Sequence, residues 1–199
     1  EMMRELVIIA KKKNVKVGAH PSYPDRENFG RLELDMESEE LLSSICSQVY
    51  SLLKIAEEEN ISVSHIKPHG ALYNQAAKDA QVARVIGDAV DRIDPHLNIM
   101  CLSGSLMVRV LEDMGLKVVQ EAFADRTYER NGSLRNRTLD HALITSPQKA
   151  ADQARLIIER NKVIAFDGSE VSIEAQTICI HSDTPNAVAI AEEVSTSIR

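Results

Sequence analysis

With 199 residues, 44% apolar and 27% charged, the chain has the make-up of a single soluble domain that buries roughly 70% of its unfolded surface. A formal net charge of -7 and a pI near 5.4 argue against a nucleic-acid footprint, which needs a clustered basic surface. No apolar run reaches the ~18 residues of a membrane span.

Glu1 to Lys12 carries Met2, Met3, Leu6, Ile9 and Ala10 at helical spacing and predicts an amphipathic helix. Because a helical pattern occupies the first residues, no signal peptide is expected and the chain is expected to begin mid-fold. Val15 to Ala19 reads as a strand. A polar loop from His20 to Arg31 follows, with two prolines, a glycine and no periodicity. Ser38 is the expected cap of a long helix with Leu41, Leu42, Ile45, Val49, Leu52, Leu53 and Ala56 on one face. Val63 to Ile66 is a short buried strand, broken by Lys67-Pro68-His69, and Gly70 turns the backbone into another helical pattern. Asp79 to Asp94 predicts an amphipathic helix. Asn98 to Leu102 predicts a strand, and Leu106 to Met114 a short helix closed by Gly115.

Lys117 to Gln120 reads as a strand that feeds Phe123-Ala124-Asp125-Arg126-Thr127-Tyr128. Pro147 suits the first position of a helix running to about Arg160. Val163 to Phe166 and Val171 to Ile173, joined across Asp167-Gly168, predict a β-hairpin. Thr177 to Ile180 is the last strand, followed by a loop with His181 and a helix for which Thr184 is the expected cap. Cys46, Cys101 and Cys179 are isolated within apolar segments. They read as buried thiols of a reducing, cytoplasmic compartment, not as disulfide or zinc partners.

Strand–loop–helix repeated in this way implies parallel strands with helical crossovers. No Gly-x-Gly-x-x-Gly follows a strand, which lowers a dinucleotide-binding reading. Polar residues end almost every strand, which favours a β/α barrel over an open sheet. Three of these strand ends carry a histidine: His20, His69 and His181. The expectation is that they gather at one mouth of the framework and face a common pocket. No pair has tight ligand spacing such as His-x-x-x-His, so the case for a divalent metal held by His20, His69 and His181 rests on that convergence alone.

Gly18-Ala19-His20-Pro21-Ser22-Tyr23-Pro24-Asp25 with Phe29-Gly30-Arg31, then Lys67-Pro68-His69-Gly70-Ala71-Leu72-Tyr73-Asn74, Phe123-Ala124-Asp125-Arg126-Thr127-Tyr128 and His181-Ser182-Asp183-Thr184-Pro185 resemble the signature segments of the LamB/YcsF family. The resemblance covers essentially the whole chain. It implies a distorted seven-stranded β/α (TIM-like) barrel of the glycoside hydrolase/deacetylase type. Family members open with an Asn-x-Asp-x-Gly-Glu-type and a Gly-Phe-His-Ala-Gly-Asp-type segment, and neither stands here. The expectation is therefore one incomplete barrel domain, 1–199, without its first one or two βα units.

The resemblance also implies ATP-dependent hydrolysis of 5-oxo-L-proline to L-glutamate in complex with B and C subunits. On that reading His69 or His20 is the general base on water or a metal ligand, and Lys67 pairs with a carboxylate, oxyanion or phosphate. Asp183, two residues past His181, orients an imidazole. Asp125 and Arg126 are substrate-binding candidates as a carboxylate and an anion clamp, and Tyr73 and Asn74 of the central loop join them. Each has a plainer rival: loop anchors for the histidines, a snorkelling Lys67, a turn role for Asp25, a structural ion pair for Asp125 and Arg126, and packing for Tyr73 and Tyr128. His65, His96 and His141 read as structural or solvated. Two other functions compete, a metal-dependent deacetylase or amidase that needs no ATP, and a non-catalytic barrel fragment.

Overall fold

The computed structural model describes residues 1–198. The chain divides into two compact units. One is formed by Glu1–Cys101 with Ser105–Val118, the other by Leu102–Gly104 with Val119–Arg199.

The first unit alternates helix and strand: α1 (Met2–Lys12), β1 (Val17–Ala19), α2 (Ser38–Glu58), β2 (Val63–Ile66), α3 (Gly70–Ala76), α4 (Ala80–Ile93), β3 (Asn98–Leu102) and α5 (Leu106–Asp113). β1 pairs in parallel with β2, Ala19 opposite Ile66, and β2 pairs in parallel with β3, Ile66 opposite Ile99. Parallel neighbours need long crossovers, which α2 and the α3–α4 pair supply. The apolar stripe of α2 is buried as its spacing predicts. Ile45 and Val49 join Leu72, Ile86, Ile99 and Leu111 in one core, each fully buried side chain stabilising the fold by about 1.5–3 kcal/mol.

Two local expectations shift. Ser38 is the first helical residue of α2 and Glu37 occupies the cap position without a side-chain bond. In α1 only Val7 is buried, while Met2, Leu6 and Ile9 lie exposed. This helix is held through Val7 and through Arg4, which pairs with Glu58 and Glu59 at the end of α2. The cap predicted at Asp79 is present, its carboxylate accepting from Gln81 N and Val82 N at the start of α4.

The second unit contains β4 (Lys117–Phe123, entering it at Val119), α6 (Pro147–Arg160), β5 (Lys162–Ile164), β6 (Glu170–Ser172), β7 (Thr177–Cys179) and α7 (Ala187–Ser197). β4 and β7 run parallel, with Phe123 opposite Cys179. β5 and β6 form the predicted antiparallel hairpin. α6 begins at Pro147 with Ser146 accepting from Lys149 N, and its small residues Ala150, Ala151 and Ala154 let α7 approach through Ile190 and Val194. The expected cap at Thr184 is not the one used. α7 starts after Asn186, which adopts a left-handed conformation, and the Thr184 hydroxyl is committed elsewhere. Among the described residues no helix is long and apolar enough to cross a membrane.

Candidate active site

In the first unit the polar ends of β1 and β2 lie side by side, because the ladder continues past both strands. Lys67 N donates to Ala19 O at 2.9 Å and His69 N to Pro21 O at 2.8 Å. That register brings His20 and His69 together, with His20 Nε2 2.9 Å from His69 Nδ1 and the rings edge to face. The outer nitrogens meet backbone carbonyls. His20 Nδ1 lies 2.6 Å from Lys67 O, and His69 Nε2 lies 2.9 Å from Phe29 O.

A carbonyl oxygen only accepts, so His20 Nδ1 and His69 Nε2 must each carry a proton. The facing nitrogens then require one more between them. Two neutral imidazoles carry two ring protons in all, so complete bonding of the three contacts makes the pair a cation. All four ring nitrogens are engaged. Among the described residues no group of three or more His, Cys, Asp or Glu side chains is placed to hold a metal ion.

The β1–α2 loop is built to present the Phe29 carbonyl. Gln48 of α2 clamps Ser22, accepting from its N–H and donating to its carbonyl. Buried Tyr23 donates its hydroxyl to Gln75 Oε1 of α3 at 2.7 Å. Burial, reinforced by the charges of Glu33 and Asp79, pushes that phenol up to about 12. Asp25 Oδ1 accepts from Asn28 N and Asn28 Nδ2, and Gly30 N donates to Asp25 O. Asp25 is thus a turn-former here. Gly30 O in turn accepts from Ala71 N at 3.0 Å. Gly70, at φ +57°, allows this approach, because a Cβ there would lie 2.5 Å from that same oxygen. Lys67 sits beside the pair with its ammonium 5.9 Å from the ring centre of buried Tyr73. Asn74 lies exposed on α3.

The second unit holds the third histidine in a different setting. Asp125, fully buried just beyond β4, accepts from His181 N at 2.9 Å, from Thr184 Oγ1 at 2.6 Å, and from His181 Nδ1 at 3.0 and 3.1 Å. Burial works to raise the Asp125 carboxyl. The hydrogen bond and charge of His181, the Thr184 hydroxyl and the His181 amide outweigh it and hold the group below the usual carboxylate range. The imidazole lies parallel to the Phe123 ring, centres 5.3 Å apart.

Sequence reasoning gave the imidazole-orienting role to Asp183. In this unit Asp125 fills it for His181, while Asp183 pairs with Arg137 at 3.2 Å. Arg126, 5% exposed, is turned inward: Nε donates to Ala142 O and Nη2 to Arg135 O, clasping the loop that follows. Burial, aided by the neighbouring charge of Arg137, lowers this guanidinium to about 10. Tyr128 packs, fully buried, with its hydroxyl accepting from Phe123 N. Thr184 was missed because Thr-Pro ahead of a helical pattern reads as a cap. Its position three residues after a histidine was the remaining signal.

The LamB/YcsF family profile matches residues 1–199. The chain is 43% identical over 192 residues to the A subunit of a 5-oxoprolinase from Haemophilus influenzae, covering 96% of this chain and 78% of that protein. It is 42% identical over 190 residues to the 5-oxoprolinase A subunit of Thermus thermophilus, covering 96% and 76%. The crystal structure of a lactam utilization protein, also from Thermus thermophilus, superimposes with a TM-score of 0.92 at 39% identity, over 98% of this chain and 78% of that one. The fold is accordingly of the α/β, TIM-like barrel type. By sequence and by fold, the chain belongs to the LamB/YcsF family.

Proposed function

We propose that this chain is the catalytic subunit of an ATP-dependent 5-oxoprolinase, hydrolysing 5-oxo-L-proline to L-glutamate together with B and C subunits. Identity near 40% over most of the chain to proteins named as the A subunit of 5-oxoprolinase supports the reading. The observation that carries it is the His20–His69 pair, set between two backbone carbonyls at the ends of adjacent parallel strands.

A five-membered lactam is an unstrained amide. Opening it requires an activated carbonyl, a positioned water and a proton for the departing nitrogen. ATP supplies the activation of the carbonyl. The chain's own residues supply charge and protons. A cationic imidazole pair and the Lys67 ammonium complement the substrate carboxylate and the oxyanion that develops on attack. The shared proton of the pair is also available to a basic leaving group.

The test is product formation from 5-oxo-L-proline by this chain mixed with its partner subunits, with ATP and each protein omitted in turn. Glutamate appearing only with ATP and all subunits is the expected result. Amine or acetate release from simple amides without ATP would replace the proposal with an ATP-independent amidase.

A further inference from the structure

Phe29 stands where the backbone does not favour an aromatic residue. It lies in the left-handed region at φ +57°, Gly30 follows at +66°, and the Phe29 side chain is 66% exposed. A bulky residue in that region is an outlier, and such strain persists only where the surroundings hold it. Here they do. Gly30 N donates to Asp25 O at 2.7 Å, Arg31 N donates to Asn28 O at 3.1 Å, and the Phe29 carbonyl meets His69 Nε2. At that exposure the ring adds little to the core. It stands perpendicular to the His69 imidazole, centres 5.2 Å apart, and the Arg31 guanidinium lies over its face at 5.3 Å. The guanidinium carbon is therefore no further from the His69 ring than those two steps laid end to end. Glycine or asparagine would satisfy the backbone at less cost, so the reason for phenylalanine lies in its side chain.

We propose that Phe29 and Arg31 are the substrate-recognition residues of this site: the guanidinium takes the carboxylate of the cyclic amide, and the ring packs against its methylene groups. This rests on the lactam-opening reading and takes its substrate from it. 5-Oxo-L-proline carries a carboxylate, an adjacent pair of methylene groups and a lactam carbonyl, and it is short enough to reach from the guanidinium to the histidine pair. The carboxylate suits the planar, two-pronged donor of an arginine. The methylene edge suits an exposed aromatic face. Held at these two places, the ring turns its carbonyl towards the pair and Lys67. A partner protein fits the loop less well, because the loop is pinned to His69 through both its carbonyl and its aromatic ring.

The test is steady-state glutamate formation by the assembled complex carrying Arg31→Gln, Arg31→Lys or Phe29→Asn, with the urea midpoint of each chain measured alongside. Arg31→Gln should raise KM for 5-oxo-L-proline by roughly 10–100-fold, with kcat within a few-fold of normal, as expected when a charge-assisted contact made equally in ground and transition states is lost. Arg31→Lys should recover part of the loss, since an ammonium keeps the charge without the fork. Phe29→Asn keeps the left-handed backbone at lower cost, so its urea midpoint should not fall while KM rises roughly 2–10-fold. 2-Pyrrolidinone, the same ring without its carboxylate, should inhibit the unaltered and Arg31→Gln complexes equally. A KM for Arg31→Gln within about twofold of normal, or weaker inhibition of that variant by 2-pyrrolidinone, overturns the assignment and leaves the lactam reading intact. A raised KM that returns to normal with excess partner subunits also overturns it, and makes the loop a subunit contact. No glutamate from the unaltered complex with ATP overturns the lactam reading, and the roles given to Phe29 and Arg31 fall with it.

Discussion

Gly70→Ala tests how the histidine pair is held. At φ +57° an alanine enters the left-handed region, which costs roughly 1–2 kcal/mol. Its Cβ would also lie 2.5 Å from Gly30 O, and this is backbone, so no side-chain rotation relieves the contact. The loop must move, which weakens the Gly30 O to Ala71 N bond, a further loss of about 1 kcal/mol. The sum is roughly 2–3 kcal/mol, or a melting temperature lower by roughly 4–12 °C for a chain of this size. Gly115→Ala is the control, since Gly115 has φ +75° with nothing within 4 Å of a Cβ and should show only the conformational cost. Urea unfolding of the two variants, compared at equal slope, isolates the contact. Gly70→Ala should be the weaker fold by at least ~1 kcal/mol, and the displaced Phe29 carbonyl should free His69 Nε2 to exchange its proton faster. Equal midpoints for the two variants would refute the close approach as the reason for glycine at position 70.

Three further outcomes are expected. Arg126→Met strips donors from Ala142 O and Arg135 O and should destabilise the chain by about 2 kcal/mol, exposing residues 135–142 to limited proteolysis with KM unaltered. A raised KM with normal protease resistance would make Arg126 a substrate contact instead. The folded-state value of Asp125 is depressed, so the stability it contributes is complete above the unfolded value of roughly 4 and is lost as pH falls through the lower folded value. The gap in urea midpoint between the unaltered chain and Asp125→Asn should therefore narrow in acid; a gap constant from neutral pH downward would contradict this. Tyr23 works in the opposite direction. Its contribution is present below the unfolded value of roughly 10 and is lost as pH rises through about 12. Phenolate absorbance missing from Tyr23→Phe should thus be missing only near that pH, and an earlier difference would disprove the buried hydroxyl.

Much of the fold was legible because hydrophobic period and breakers agree. Val63 to Ile66 ends in Lys-Pro-His-Gly, and the strand stops and α3 starts where those residues dictate. Pro147 and Asp167-Gly168 likewise mark α6 and the hairpin. Pairing was legible in part: His20, His69 and His181 were singled out together by equivalent positions after strands, and of these His20 and His69 are in contact. What sequence could not supply is how polar atoms partner at a distance. Asp125 and His181 are 56 positions apart, and the bond depends on β4 lying beside β7. Thr184 served local grammar and tertiary bonding equally well, and a charged hydrogen bond to a buried carboxylate outweighs a helix cap. The apolar stripe of α1 shows the same limit, since periodicity predicts a helix without saying which face finds a partner.

The central claim is that the imidazole pair at the ends of β1 and β2 takes part in lactam opening, and the most direct measurement is glutamate formation by the assembled complex carrying His69→Ala. The account predicts a loss of roughly 10²-fold or more with the urea midpoint little changed, and for Lys67→Ala a change mainly in KM. Near-normal turnover from a folded His69→Ala chain would contradict it.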